Sequence, residues 1–141
     1  MKKNWDKYFI KIAHTIAEMA TCDRKHVGAV VVRNKRILAT GFNGSIAGGE
    51  DCDNVGHMMQ DHHCVRTVHA EINAITQCAK HGTPSDGATM YINTFPCWHC
   101  FKVMVNSGIK EIVYDDEYES DLKKVVFVQA DLIGIKIRKY E

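Results

Sequence analysis

The sequence predicts an α/β domain built on a mixed sheet of about five strands with helices on both faces. Three observations predict it: an amphipathic stripe near the amino end, two β-branched runs split by a short polar turn, and a strand, helix, strand alternation through the second half. From Trp5 to about Ala20 the residues Trp5, Phe9, Ile12, Ala13, Ile16, Ala17 and Ala20 recur at three and four, the stripe of a helix that buries one face. Val27 to Val32 is short and β-branched, and Arg33-Asn34-Lys35-Arg36 separates it from Ile37 to Phe42, so the pair reads as a hairpin with a polar turn. The glycine-rich stretch from Gly41 to Gly49 opens a region in which no hydrophobic period is sustained until about Arg66. It reads as a long loop, and long loops inside compact domains usually have a task.

His69 to about Lys80 resumes helical spacing through Ala70, Ile72, Ala74, Ile75 and Cys78, and stops at His81-Gly82. Thr89 to Asn93 reads as a buried strand. Pro96 then opens a helix of Cys97 to about Ser107, closed by Gly108, and Glu111 to Tyr114 is the next strand. Asp121 to Ala130 is a weaker helix and Gly134 to Arg138 a final strand. With no internal repeat, low-complexity tract or linker, residues 1–141 are expected to form one domain.

Composition narrows the function. Of 141 residues, 45% are hydrophobic and 25% charged, the balance of one globular domain. Eighteen Lys+Arg against seventeen Asp+Glu give a net charge of +1, without the broad basic footprint that long phosphate backbones attract, so nucleic acid is a secondary idea. No apolar run approaches the ~20 residues that span a bilayer. Met1 and two lysines lead straight into Asn4, Trp5 and Asp6, unlike a signal peptide, so a cytoplasmic protein without a membrane role is expected. In that setting six cysteines point to metal binding or plain burial and away from disulfides. His57, His62 and His63 crowd next to Cys64, just ahead of His69.

His69-Ala70-Glu71 starts one predicted helix and Pro96-Cys97-Trp98-His99-Cys100 another, each straight after an extended segment, so the two helix amino ends can meet. Residues three apart on a helix share a face, which lets Cys97 and Cys100 hold one ion, and the free N–H groups of a first turn favour thiolates. Neutral His69 as third ligand leaves a fourth tetrahedral position for water, the ligand count of a catalytic zinc. Glu71, two residues from His69, points elsewhere and is free for proton transfer. Zinc lowers the pKa of bound water to ~7, and a carboxylate beside it takes that proton and passes it to a ring nitrogen and a leaving amine. The combined spacing H-x-E with P-C-x-x-C is the signature of zinc deaminases. A lone C-x-x-C is commonly a redox pair or half of a zinc ribbon, but neither of those uses both His69 and Glu71.

On these residues the chain resembles the cytidine-deaminase superfamily, and more closely the deoxycytidylate (dCMP) deaminases of bacteria and phages. The likeness runs from about Trp5 to Tyr118. It is carried by Thr21-Cys22-Asp23-Arg24 before Val27-Gly28-Ala29-Val30, by Gly41-Phe42-Asn43-Gly44, by His69-Ala70-Glu71-Ile72-Asn73-Ala74, by Phe95-Pro96-Cys97-Trp98-His99-Cys100, and by Ser107-Gly108-Ile109-Lys110. The resemblance implies a three-layer α/β/α sandwich and the conversion of dCMP to dUMP, which feeds thymidylate synthesis. It also implies that Asn43 bonds the sugar or base and that Arg24 and Tyr118 hold the 5′-phosphate. On the residues alone, Arg24 reads equally as a solvated charge, Asn43 as a left-handed turn residue, and Tyr118 as a ring capping the sheet. Phe95 reads either as a stacking partner for cytosine or as core.

The resemblance further implies a homo-oligomer, a hexamer in many relatives, activated by dCTP and inhibited by dTTP, with effector and Mg²⁺ near Gly41-Phe42-Asn43-Gly44. Phe42 stands where relatives have tyrosine, and Glu119 stands where a basic residue would help hold phosphate, which keeps dCTP open as a substrate. Some relatives carry a structural zinc between the first-helix end and the long loop, and Cys22 and Cys52 fall where its ligands sit. Cys64 and one of His57, His62 or His63 complete four, with His57 preferred because its spacing of seven lets the loop wrap. The alternative is that Cys22 is apolar filler and the histidines are exposed. Cys78 reads as helix core, and His14, His26, His81 and His99 as surface or packing residues. The rival functions are a deaminase of a free base, a nucleoside or tRNA adenosine, which would use the same chemistry, and a non-catalytic zinc module, which has no use for Glu71.

Overall fold

β-branched runs at the middle of the chain build a five-stranded sheet, seen in a computed structural model that describes residues 2–141. Strand β1 (Gly28–Arg33) pairs antiparallel with β2 (Arg36–Phe42) across a two-residue turn in which Asn34 and Lys35 both have positive φ. That turn matches the right-handed twist of the flanking strands. On its other edge β1 pairs antiparallel with β7 (Thr89–Thr94), and β7 pairs in parallel with β8 (Glu111–Asp116), which pairs in parallel with β9 (Lys136–Lys139). The order is therefore β2-β1-β7-β8-β9, a mixed sheet.

Alternation along the strands divides the core into two layers. Val30, Val32, Tyr91 and Val113 face helix α1 (Trp5–Ala17) and its Phe9, Ile10 and Ala13. Ala29, Val31, Met90, Ile92 and Ile112 face the opposite way, onto α3 (Ala70–Lys80), α4 (Trp98–Asn106) and α5 (Lys123–Ile133). The result is the three-layer α/β/α sandwich. Two glycines allow the layers to close: a Cβ on Gly28 would meet backbone of Ala13 and Ala17 in α1, and one on Gly41 would meet backbone of Ala70 and Ala74 in α3.

Three details depart from the sequence reading. α1 ends at Ala17 and not near Ala20, because Met19 and Ala20 take tighter bonds to Ile16 and Ala17 and the Thr21 N–H goes to the Asn43 carbonyl. α5 is displaced toward the carboxyl end of its expected span, and Gly134, expected to begin the last strand, is its left-handed stop at φ 78°. The long loop carries short structure: β3 (Gly44–Ser45) pairs with β6 (Thr67–Val68), α2 (Cys52–Val55) makes one turn, and β4 (Met59–Gln60) pairs with β5 (His63–Cys64). Two-residue ladders are too short to show a period of two. Among the described residues no helix is long and apolar enough to cross a membrane.

Candidate active site

His69 and Cys97 occupy equivalent places. Each has extended backbone (φ −63°, ψ 149° and φ −74°, ψ 164°) and is the N-cap of the helix that follows, α3 or α4. The His69 carbonyl accepts the Asn73 N–H and the Cys97 carbonyl accepts the Phe101 N–H, so each helix starts on the residue that carries a donor atom. Cys97 Sγ also accepts the Cys100 N–H at 3.5 Å, a thiolate acting as the capping group. α3 and α4 pack side by side, which brings His69 Nδ1 to 3.2 Å from Cys100 Sγ and 3.6 Å from Cys97 Sγ.

These separations suit a shared ion. Tetrahedral zinc, with bonds of ~2.3 Å to sulfur and ~2.1 Å to nitrogen, sets neighbouring donors ~3.5 Å apart. The protonation pattern agrees: Cys97 is held at about 3 by the hydrogen bond from the Cys100 thiol, while that same bond and burial push Cys100 up. One proton is thus held between the two sulfurs, in the place a divalent cation would take. The bond to Cys97 raises His69. Glu71, the second residue of α3, is only 4% exposed and lies at the floor of the same cleft; burial pushes its carboxyl above the ordinary range.

The cleft is a cavity of about 660 Å³ whose wall includes His69, Glu71 and Cys97. Arg24, Asn43 and Tyr118 line it as well. Arg24 is exposed, and its Nη2 donates to the His62 carbonyl at 3.1 Å. Asn43 is buried without positive φ, so it is not a left-handed turn residue: Oδ1 accepts the Val27 N–H at 2.8 Å and Nδ2 donates to the Lys25 carbonyl at 2.7 Å. Tyr118 lies in the β8 to α5 connection, partly buried against the core, and its ring packs under the Lys25 ammonium, with Nζ 3.2 Å from the ring centre. Phe95 is 1% exposed and packs edge-on against Tyr114, so it is a core residue that also forms part of the wall.

A second cluster adjoins the cavity. The donor atoms of Cys22, Cys52, His57 and Cys64 lie within 4.8 Å of one another, with Cys22 Sγ 3.4 Å from His57 Nδ1 and Cys52 Sγ 3.5 Å from Cys64 Sγ. His57 Nε2 is 3.1 Å from Asp23, the orienting contact that metal-bound imidazoles commonly have. Burial and its sulfur neighbours push Cys52 up to about 12, whereas at Cys64 burial is outweighed by backbone bonds with Arg66 and Met58, which bring it to about 6. His62 and His63 stay outside: His62 is at the tip of the β4-β5 hairpin with φ 66°, and His63 lines the cavity. Cys78 is buried core. His99, expected as a surface or packing residue, is exposed and also lines the cavity, and so does Lys25, which the sequence does not single out. The one trace of Lys25 in the sequence is its place beside Arg24 ahead of a strand.

Comparison with known proteins agrees with this geometry. The family model "Cytidine and deoxycytidylate deaminase zinc-binding region" matches residues 3–115. ComE operon protein 2 of Bacillus subtilis is 48% identical over 139 residues, covering 98% of this chain and 72% of that protein. Deoxycytidylate deaminase of Saccharomyces cerevisiae is 34% identical over 147 positions, which span 99% of this chain and 46% of the yeast enzyme. Among solved structures, the dCMP deaminase of cyanophage S-TIM5 in complex with dCMP and dUMP superposes with a TM-score of 0.84 at 30% identity, covering 99% of both chains. Matched by the family model over residues 3–115, with paired helix N-caps and a buried glutamate of its own at the site, this chain belongs to the cytidine and deoxycytidylate deaminase family.

Proposed function

We propose that this chain is a zinc-dependent hydrolase that converts dCMP and water to dUMP and ammonia. The observation that carries it is the meeting of His69, Cys97 and Cys100 over a cavity that also exposes the buried carboxyl of Glu71. Zinc held by those three donors supplies a water acidified to a pKa of ~7. Glu71 is the proton carrier: a carboxylate oxygen takes a proton from the attacking water and gives it to the pyrimidine ring nitrogen, then takes the proton of the new C4 hydroxyl and gives it to the amine, which departs as ammonia as the C4 carbonyl forms. Burial favours the neutral carboxyl, which makes the Glu71 carboxylate a stronger base toward the water proton. The Asn73 side chain steadies α3 by donating to the Phe42 carbonyl at 2.8 Å.

In the same reading Arg24 and Tyr118 hold the 5′-phosphate and Asn43 bonds sugar or base; their place on the cavity wall supports it. The four donors Cys22, Cys52, His57 and Cys64 hold a second, structural zinc, supported by their closed set and mutual distances. A cytoplasmic homo-oligomer, hexameric and regulated by dCTP and dTTP with Mg²⁺, follows from the resemblance. The test is ammonia release from dCMP, dCTP, deoxycytidine and a tRNA anticodon stem, run side by side. Turnover of dCMP is expected, and turnover confined to the tRNA stem overturns the proposal. Zinc per chain, by atomic absorption, is expected to approach two.

A further inference from the structure

Lys25 stands where α1 has ended and β1 has not begun, yet its backbone is held firmly. Its carbonyl accepts from Asn43 Nδ2, the next carbonyl, of His26, accepts from Asn93 Nδ2 at 2.9 Å, and the Val27 N–H donates to Asn43 Oδ1. Asn43 and Asn93 are both buried. The segment therefore behaves as scaffold, and its half-buried side chain is directed along the cavity wall onto the face of Tyr118. Among the described residues Lys25 makes no salt bridge and its ammonium no hydrogen bond; the aromatic ring is its partner.

A cation kept in a half-dry cleft without a contact ion pair is costly, and burial lowers the Lys25 pKa, partly offset by the fields of Glu71, Cys97 and Cys100. Such a charge is well used when a ligand brings the opposite one. Arg24, next in sequence, differs: it is exposed, and its guanidinium already donates to the hairpin carbonyl of His62. Lys25 forms no salt bridge with the Glu71 carboxylate. In a bound nucleotide the sugar separates the reacting ring from the 5′-phosphate, and the Lys25 ammonium sits 3.2 Å from the ring centre of Tyr118, the residue read as a phosphate contact, on the same cavity wall.

We propose that Lys25, seated on the Tyr118 ring, is the residue that selects a 5′-phosphorylated pyrimidine nucleoside over the free nucleoside, by binding the phosphate through its ammonium. Arg24 joins it from the exposed rim, where its guanidinium also bonds the His62 carbonyl of the β4-β5 hairpin. This assignment rests on the reading of the site as a nucleotide deaminase.

The zinc-loaded full chain is compared with Lys25→Met, Lys25→Gln and Lys25→Arg, using kcat/KM for dCMP and for deoxycytidine, and calorimetric binding of dUMP and deoxyuridine. Met and Gln are each expected to lower the dCMP to deoxycytidine ratio of kcat/KM by tenfold or more, as loss of a charge-assisted bond requires, with the change in KM for dCMP. The same variants weaken dUMP and leave deoxyuridine binding as it was, and Arg restores most of the preference. Replacing the ring, in Tyr118→Leu, lowers the ratio in the same direction and further than Tyr118→Phe, which keeps the ring under Lys25 and removes only the hydroxyl. A ratio unchanged within twofold overturns the proposal, as does an equal fall for both substrates, which would make Lys25 a positioning residue for Glu71. If the unmodified enzyme does not turn over dCMP, the deaminase reading fails, and the dUMP to deoxyuridine binding comparison still decides the role of Lys25.

Discussion

His69, Cys97 and Cys100 stand on the first residues of two helices packed against the sheet, whereas Cys22, Cys52, His57 and Cys64 stand on a helix exit, a one-turn helix, a turn and a two-residue ladder. The first cluster is held by a core that exists without it: Ala70, Ala74, Phe101 and Met104 are buried beneath its two helices. The second has no such support, for between residues 46 and 68 Cys52 alone is buried. The two clusters use the same donor chemistry for opposite ends. Three donors on a rigid mount leave a coordination position open beside a proton carrier, and four donors on a loop with little core close the site and organise the chain around it.

The largest effect expected tests the first half of that contrast. Glu71→Gln removes the proton carrier and no metal donor, so kcat should fall by roughly 10³-fold with zinc content unchanged, measured by ammonia release and atomic absorption. Ordinary activity in that variant would mean that Glu71 is a buried structural acid. Cys52→Ser tests the second half. Zinc per chain should drop by one and limited proteolysis should cut between residues 46 and 68, at a cost on the order of several kcal/mol of metal-coupled folding, while the far-UV dichroism of the sheet persists. A loop that stays protected without the ion would break the contrast.

The same contrast governs what was legible in the sequence. The first cluster could be placed because its spacing is local: His69 and Glu71 open one apolar period, Cys97 and Cys100 open another after Pro96, and each period predicts the helix that mounts them. The members of the second cluster come only through resemblance, and its histidine, His57, is preferred over two neighbours on a spacing of seven alone, the choice that matches the observed cluster. What singles out His57 is the path of the loop back to Cys22, 35 residues away, which no local pattern encodes. Lys25 was passed over for a similar reason, since its meaning depends on Asn43, Asn93 and Tyr118, all remote in sequence. The end of α1 was misjudged because the Thr21 N–H finds the Asn43 carbonyl across the fold. The stop of α5 was hidden because its exposed Leu132 and Ile133 blur the apolar period just before Gly134.

Two glycines sharpen the comparison between the faces of the sheet. Gly41→Ala drives a methyl group into the backbone of α3 at Ala70 and Ala74, and Gly28→Ala does the same to α1 at Ala13 and Ala17. Each should cost roughly 1–3 kcal/mol by overpacking, read as a lower urea midpoint. They should differ in activity. α3 carries Glu71 and starts on His69, so Gly41→Ala lowers kcat, while Gly28→Ala leaves kcat of the folded fraction near normal.

The smallest effect lies on the α1 face, far from either cluster. Asp6, in the first turn of α1, accepts from Arg138 of β9 at 2.7 Å and from the Tyr91 hydroxyl of β7 at 2.8 Å, tying the helix to an edge strand and a central one. The Arg138 hydrogen bond holds the Asp6 carboxyl below its ordinary 3.8, although burial opposes it. A carboxyl whose folded pKa is depressed stabilises the fold above its unfolded value, and that contribution is lost as pH falls through the folded one. Because the pair is about one-third exposed, solvent screens it, and ~0.5–1 kcal/mol is the expected size. Asp6→Asn should therefore lower the urea midpoint at neutral pH by that amount. The gap to the unmodified chain should close in acid, once the Asp6 carboxyl is protonated in both folded and unfolded states, and kcat should not change. A gap that persists undiminished at acid pH would assign the loss to packing around Tyr91 and not to the ion pair.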